Sequence, residues 1–213
     1  MGVTLQWRPE PDDRDNRSVA VTVEFGRFHD RGIAYMIYTD RVGPGVLVLS
    51  ESSVEGRYET YLHSLNDDGF TVLAPILSSA RSPDDIPVML RAASAHLTEN
   101  WHPRLGVIAF GDAANYACAL AHEVELDITV LFGAVGRVDP SRFNGVLAGH
   151  YGESDARSLD VLEEVAAAGL DASAWVYPGT PPAFADPSSE DYESEIATLA
   201  YRRTSELLHY HLS

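Results

Sequence analysis

The chain has 213 residues, enough for one sizeable core, and 45% of them are hydrophobic, as in soluble globular proteins. Its formal net charge is −17, with every basic residue an arginine, which argues against nucleic acid and anionic membranes as partners. No apolar run approaches the roughly 20 residues that span a bilayer, and the N-terminus lacks a basic then apolar leader, so the expected location is the cytoplasm.

In chain order, residues 1–17 are polar and Pro/Asp/Arg-rich, which predicts a loosely held N-terminal segment of a single domain spanning 1–213. Residues 19–25 alternate in polarity and predict a half-exposed strand, and 33–38 a second. Residues 46–49 are continuously apolar after Gly43-Pro44-Gly45, as in a buried parallel strand. From there the pattern alternates. Helix 57–66, the turn Asp67-Asp68-Gly69 and strand 70–74 are followed by helix 85–100, strand 105–110, helix 113–124 and strand 128–132. Strand 146–149, helix 158–168, strand 172–177 and helix 189–209 complete it. Alternation of this kind predicts an α/β fold, with a mostly parallel sheet of eight strands and helices on both faces.

One segment has the layout of a catalytic motif. Val107-Ile108-Ala109-Phe110-Gly111-Asp112-Ala113-Ala114 reads as an apolar strand, a sharp turn and a helix start. That is how a nucleophile elbow is built, with small residues flanking a strained Ser or Cys. Here the apex is Gly111, which has no side chain to attack a carbonyl. A register one residue later would make Asp112 the nucleophile. It would then place Phe110 where the turn needs a small residue, so Asp112 is read as a pocket-facing or helix-capping carboxylate. The single Cys118 falls in the following helix and is expected to be a buried apolar residue. The eight histidines form no HExxH or similar spacing, so neither a metal nor any other cofactor is implied.

The order and spacing of further segments resemble the dienelactone hydrolase family, a compact branch of the α/β-hydrolase fold. The resemblance runs from about Asp30 to the C-terminus. Gly45-Val46-Leu47-Val48-Leu49-Ser50-Glu51 looks like the strand that ends in the family's pocket glutamate. Leu65-Asn66-Asp67-Asp68-Gly69-Phe70-Thr71-Val72-Leu73-Ala74-Pro75 is similar to the helix, turn and strand that follow it. Ala109-Phe110-Gly111-Asp112-Ala113-Ala114 aligns with the family's elbow, residues 149–155 with its acid loop, and Tyr177-Pro178-Gly179-Thr180-Pro181-Pro182-Ala183-Phe184 with its histidine segment.

The resemblance places the nucleophile at Gly111, the general base at Pro182 and the acid at Asp155, of which only Asp155 keeps a family residue. Acyl transfer by a triad needs all three roles filled. What the resemblance leaves is a pocket: Glu51 as acid–base candidate, Ser52 beside it, the Asp112 N–H at a helix N-terminus, Arg81 as an anion-binding arginine, and Phe184. Each also has a plainer reading, as a strand-end carboxylate for Glu51 or a surface arginine for Arg81. The expected partner is a small-molecule ligand or substrate; the sequence carries no signal of oligomeric state. Three functions are open: a small-molecule-binding pseudoenzyme; a repurposed cyclase, isomerase or lyase acting on a carbonyl compound in a biosynthetic pathway through Glu51 and a backbone oxyanion pocket; and a hydrolase with an unrecognised constellation.

Overall fold

Val46, Leu47, Val48 and Leu49 are all buried, and alternate members face opposite sides of the sheet. That double burial is what a continuously apolar strand requires, and it sets the architecture. The structure is a computed structural model, and the residues it describes are 3–5, 23–28, 33–50, 58–133, 144–154, 163, 167 and 171–213. Of the residues and elements expected from the sequence, Glu51, Ser52, Asp155 and most of the helix over 158–168 lie outside the described residues.

The strands are β1 (Val3–Leu5), β2 (Val23–Phe28), β3 (Ile33–Tyr38), β4 (Gly45–Ser50), β5 (Thr71–Pro75), β6 (Leu105–Phe110), β7 (Ile128–Phe132), β8 (Val146–Gly152) and β9 (Ala172–Tyr177). They form one nine-stranded sheet in the order β1-β2-β3-β5-β4-β6-β7-β8-β9. β1, β2 and β3 pair antiparallel, and β3 lies antiparallel to β5; from β5 to β9 every pairing is parallel. The count corrects the eight strands expected. The extra one is Val3–Leu5, three residues paired with β2 at the sheet edge, inside the segment read as loosely held.

Among the described residues the continuous helices are α1 (Glu59–Asp67), α2 (Asp85–Asn100), α3 (Ala113–Ala121) and α4 (Ser194–Leu212). Leu90, Leu97 and Ala117 of α2 and α3 join the core on one face, while Leu62, Leu65 and Leu208 of α1 and α4 join the core on the other. The turn after α1 closes as its sequence demands. Gly69 has φ +101°, and the Phe70 N–H reaches back to the Leu65 carbonyl at 3.2 Å. Buried Asn66 braces this corner. Its Nδ2 donates to the carbonyls of Tyr38, Arg41 and Phe70, the shortest bond being 2.7 Å. α4 begins at Ser194, five residues later than expected, because residues before it turn instead: Ser189 N–H bonds Asp186 O and Glu193 N–H bonds Phe184 O.

On the α1/α4 face, Phe110, Phe132, His150 and Trp175 occupy facing register positions on β6, β7, β8 and β9. Their rings stack across the strands at 4.7, 4.7 and 4.8 Å. His150 is wholly buried in this row, with Nδ1 2.8 Å from Tyr177 Oη and Nε2 3.0 Å from Thr204 Oγ1. Burial, and then the nearby Arg203, hold its pKa down to about 3.

The unfolded chain takes up a proton at His150 near pH 6.5, and the native state refuses it until about pH 3. Stability contributed by the neutral ring is therefore complete above pH 6.5 and declines as pH falls through this window, by up to about 5 kcal/mol. His150→Phe keeps the stack and removes the titration. Chemical denaturation between pH 4 and 7 should show a variant about 2 kcal/mol weaker at neutrality but with a shallower pH slope than wild type; an unchanged slope contradicts this assignment.

Candidate functional site

β6 runs into the turn Gly111-Asp112 and then α3, as the elbow reading expects. Gly111 has φ +57°, the left-handed region that side chains other than glycine adopt at a cost. Its N–H donates to the Phe132 carbonyl at 2.7 Å, carrying the β6–β7 ladder one residue past the strand. Its carbonyl accepts from Ala114 N–H at 3.0 Å and so begins the helix. Ala109 and Ala113, the residues two before and two after the apex, are fully buried and small. Among the described residues, a Cβ built on Gly111 meets nothing within 4 Å.

Gly133 completes the turn's surroundings, and sequence reasoning missed it. It has φ +109°, and a Cβ there would sit 3.4 Å from Gly111 Cα. A glycine directly after an apolar strand that pairs with the elbow strand was the available signal.

Asp112 is exposed and makes no side-chain cap bond to α3, which corrects the capping role expected for it. Asn115 Nδ2 instead donates to the Asp112 carbonyl at 3.2 Å. The Asp112 N–H has no acceptor among the described residues, so it remains a donor at the start of α3. Cys118, buried in α3, has its thiol pushed up to about 12 by burial and is inert at neutral pH.

The loops that the resemblance assigns to acid and base lie together. Glu153, two residues before Asp155, donates its N–H to Thr180 O at 3.0 Å, and its Oε2 accepts from Gly179 N–H at 2.8 Å. Pro182 follows in the same turn and is exposed. Phe184 is a correction. It is 1% exposed, its ring 5.2 Å from Tyr177 and 6.4 Å from Phe132, so it belongs to the core of the α1/α4 face and not to an open cleft. Arg81 is exposed on the loop between the short turn Leu77–Ser79 and α2, at the end of a strand separated from β6 by β4. Ser50, the last residue of β4, pairs with Phe110, so β4 ends level with β6, beside the elbow. Among the described residues no group of His, Cys, Asp and Glu is placed to hold a metal ion, and no helix is long and apolar enough to cross a membrane.

No sequence-family model and no curated protein matches the chain. Solved structures do. A Klebsiella pneumoniae protein assigned as a dienelactone hydrolase is 15% identical, with a TM-score of 0.71 over 90% of this chain and 98% of its own. A dienelactone hydrolase-like promiscuous phosphotriesterase from metagenomic libraries has the same identity and TM-score, over 91% of this chain and 99% of its own. A dienelactone hydrolase from Anabaena variabilis, also 15% identical, aligns over 100% of this chain and 99% of its own with a TM-score of 0.66. The sheet order, the elbow turn and these likenesses together give the chain the α/β-hydrolase fold seen in dienelactone hydrolase-like proteins.

Proposed function

We propose that this chain is a small-molecule-binding protein that keeps the scaffold of a dienelactone hydrolase and not its acyl-transfer chemistry. One observation carries the reading: the elbow backbone is intact around Gly111, at φ +57° and bonded to Phe132, while the apex lacks a side chain. The position that resembles the base is Pro182, which has no proton to exchange. A hydrolase using this turn needs a nucleophile and a base in contact. The residues at the apex and the base position supply neither; what the turn keeps is an exposed apex and the Asp112 N–H. The chain steps from β4 outward to β5 and then back across to β6, so β4 and β6 flank the switch point where open α/β sheets bind ligands. The exposed turn at Gly111 and the Asp112 N–H face that crevice from β6.

Wild-type protein is expected to hydrolyse p-nitrophenyl acetate no faster than a heat-denatured control. Saturable turnover that survives rigorous repurification contradicts the reading.

Gly111→Cys places its Cβ against no described residue, and is expected to cost about 1–2 kcal/mol for the left-handed backbone. Alone it has a thiol without a base and should gain little. Gly111→Cys combined with Pro182→His is expected to exceed the single variant by about 100-fold in kcat/KM, the lower end of what a general base contributes. Equal activity of the folded single and double variants shows that Pro182 does not mark the base position.

A further inference from the structure

A cavity of about 230 Å³ opens on the other face of the sheet from α3, between α1 and α4. Tyr58 and Tyr61 line it from the α1 side, Thr198 and Tyr201 from α4, and Tyr192 from the segment that precedes α4; the ring of Phe132 forms the floor. No lining side chain carries a formal charge.

The ring geometry decides what fits. Phe132 lies between Phe110 and His150 in the stacked row, at 4.7 Å from each, so both its faces are covered. It presents its rim to the cavity. An aromatic rim is the positive part of the ring and attracts the face of another ring, not a cation. Tyr58 likewise has one face against Phe110, at 4.3 Å. The Tyr61 ring is perpendicular to those of Phe132 and Tyr201, at 6.2 and 5.1 Å. An anion would lose its hydration without a cation to replace it, and the chain's charge of −17 opposes its approach. The walls are also fixed before any guest arrives. Asp68, just after α1, accepts from Tyr201 Oη at 2.7 Å and Ser205 Oγ at 2.6 Å, pinning α4 to α1. An apolar cavity of about 150 Å³ accommodates benzene, so 230 Å³ leaves room for a second ring.

The geometry points to a second ligand site here, separate from the elbow cleft: the α1/α4 cavity binds an uncharged one- or two-ring aromatic molecule, edge-to-face against Phe132, with the hydroxyls of Thr198 and the tyrosines meeting a hydroxyl or carbonyl on the guest. The site does not depend on the reading of the elbow, since its ligand contacts neither Gly111 nor Pro182.

Isothermal titration of the full chain with 2-naphthol tests it, with naphthalene-2-sulfonate and choline as the anionic and cationic comparators. Two variants locate the site: Ala197→Trp, which fills the cavity, and Tyr192→Ala, which removes an exposed ring that the fold does not need. Circular dichroism confirms that both fold. The expected result is saturable binding of one 2-naphthol, abolished by Ala197→Trp and weakened about tenfold by Tyr192→Ala, with the sulfonate at least about tenfold weaker. Absence of saturable 2-naphthol binding, binding indifferent to both variants, or tighter binding of choline than of 2-naphthol overturns the proposal.

Discussion

In-register stacking of Phe110, Phe132, His150 and Trp175 across four parallel strands is the constraint on which the rest of this structure depends. Parallel pairing puts residues of equal height side by side, and the four rings then form a continuous wall on one face of the sheet. β6 ends at its ring residue, Phe110, and the residue after it has to lead the chain into α3. Gly111 does so, and its N–H takes the carbonyl of the neighbouring ring residue, Phe132. β7 likewise ends at Phe132, and Gly133 turns beside Gly111, where a Cβ would sit 3.4 Å from the Gly111 Cα.

His150 shows the same logic in polar form. An imidazole in an aromatic row is tolerated because both nitrogens are met, one by Tyr177 and one by Thr204. Arg203 then lies over Trp175 and Tyr177 at 5.6 and 5.5 Å and donates to Tyr177 Oη, closing the end of the row. His150 is therefore occupied as a structural bridge, held neutral, with both ring nitrogens already bonded.

Much of the fold was legible because buried parallel strands and their helices leave strong local signals. Leu105–Phe110, Ile128–Phe132, Ala172–Tyr177 and Asp85–Asn100 fall where apolar runs bounded by turn residues put them. β8 runs three residues beyond the expected 149, through His150 and Tyr151, because their side chains are buried by partners distant in sequence. β1 left almost no signal, being three residues at an edge. At the site, the glycine apex and the exposed proline were legible as residues, and the turn geometry followed from them. Phe184 was misplaced because its burial depends on Tyr177 and Phe132, which no local pattern announces. The α1/α4 cavity was illegible for the same reason: the contact that fixes it, Tyr201 to Asp68, joins residues 133 apart.

The central claim is that this elbow is a structural turn without a covalent catalyst. Intact-protein mass spectrometry after incubation with a fluorophosphonate ester tests it most directly, because the reagent records an activated nucleophile in a single turnover whatever the natural substrate. The account predicts an unmodified mass, identical before and after heat denaturation of a parallel sample. A stoichiometric phosphonyl adduct that requires the native fold and maps to the elbow would contradict it.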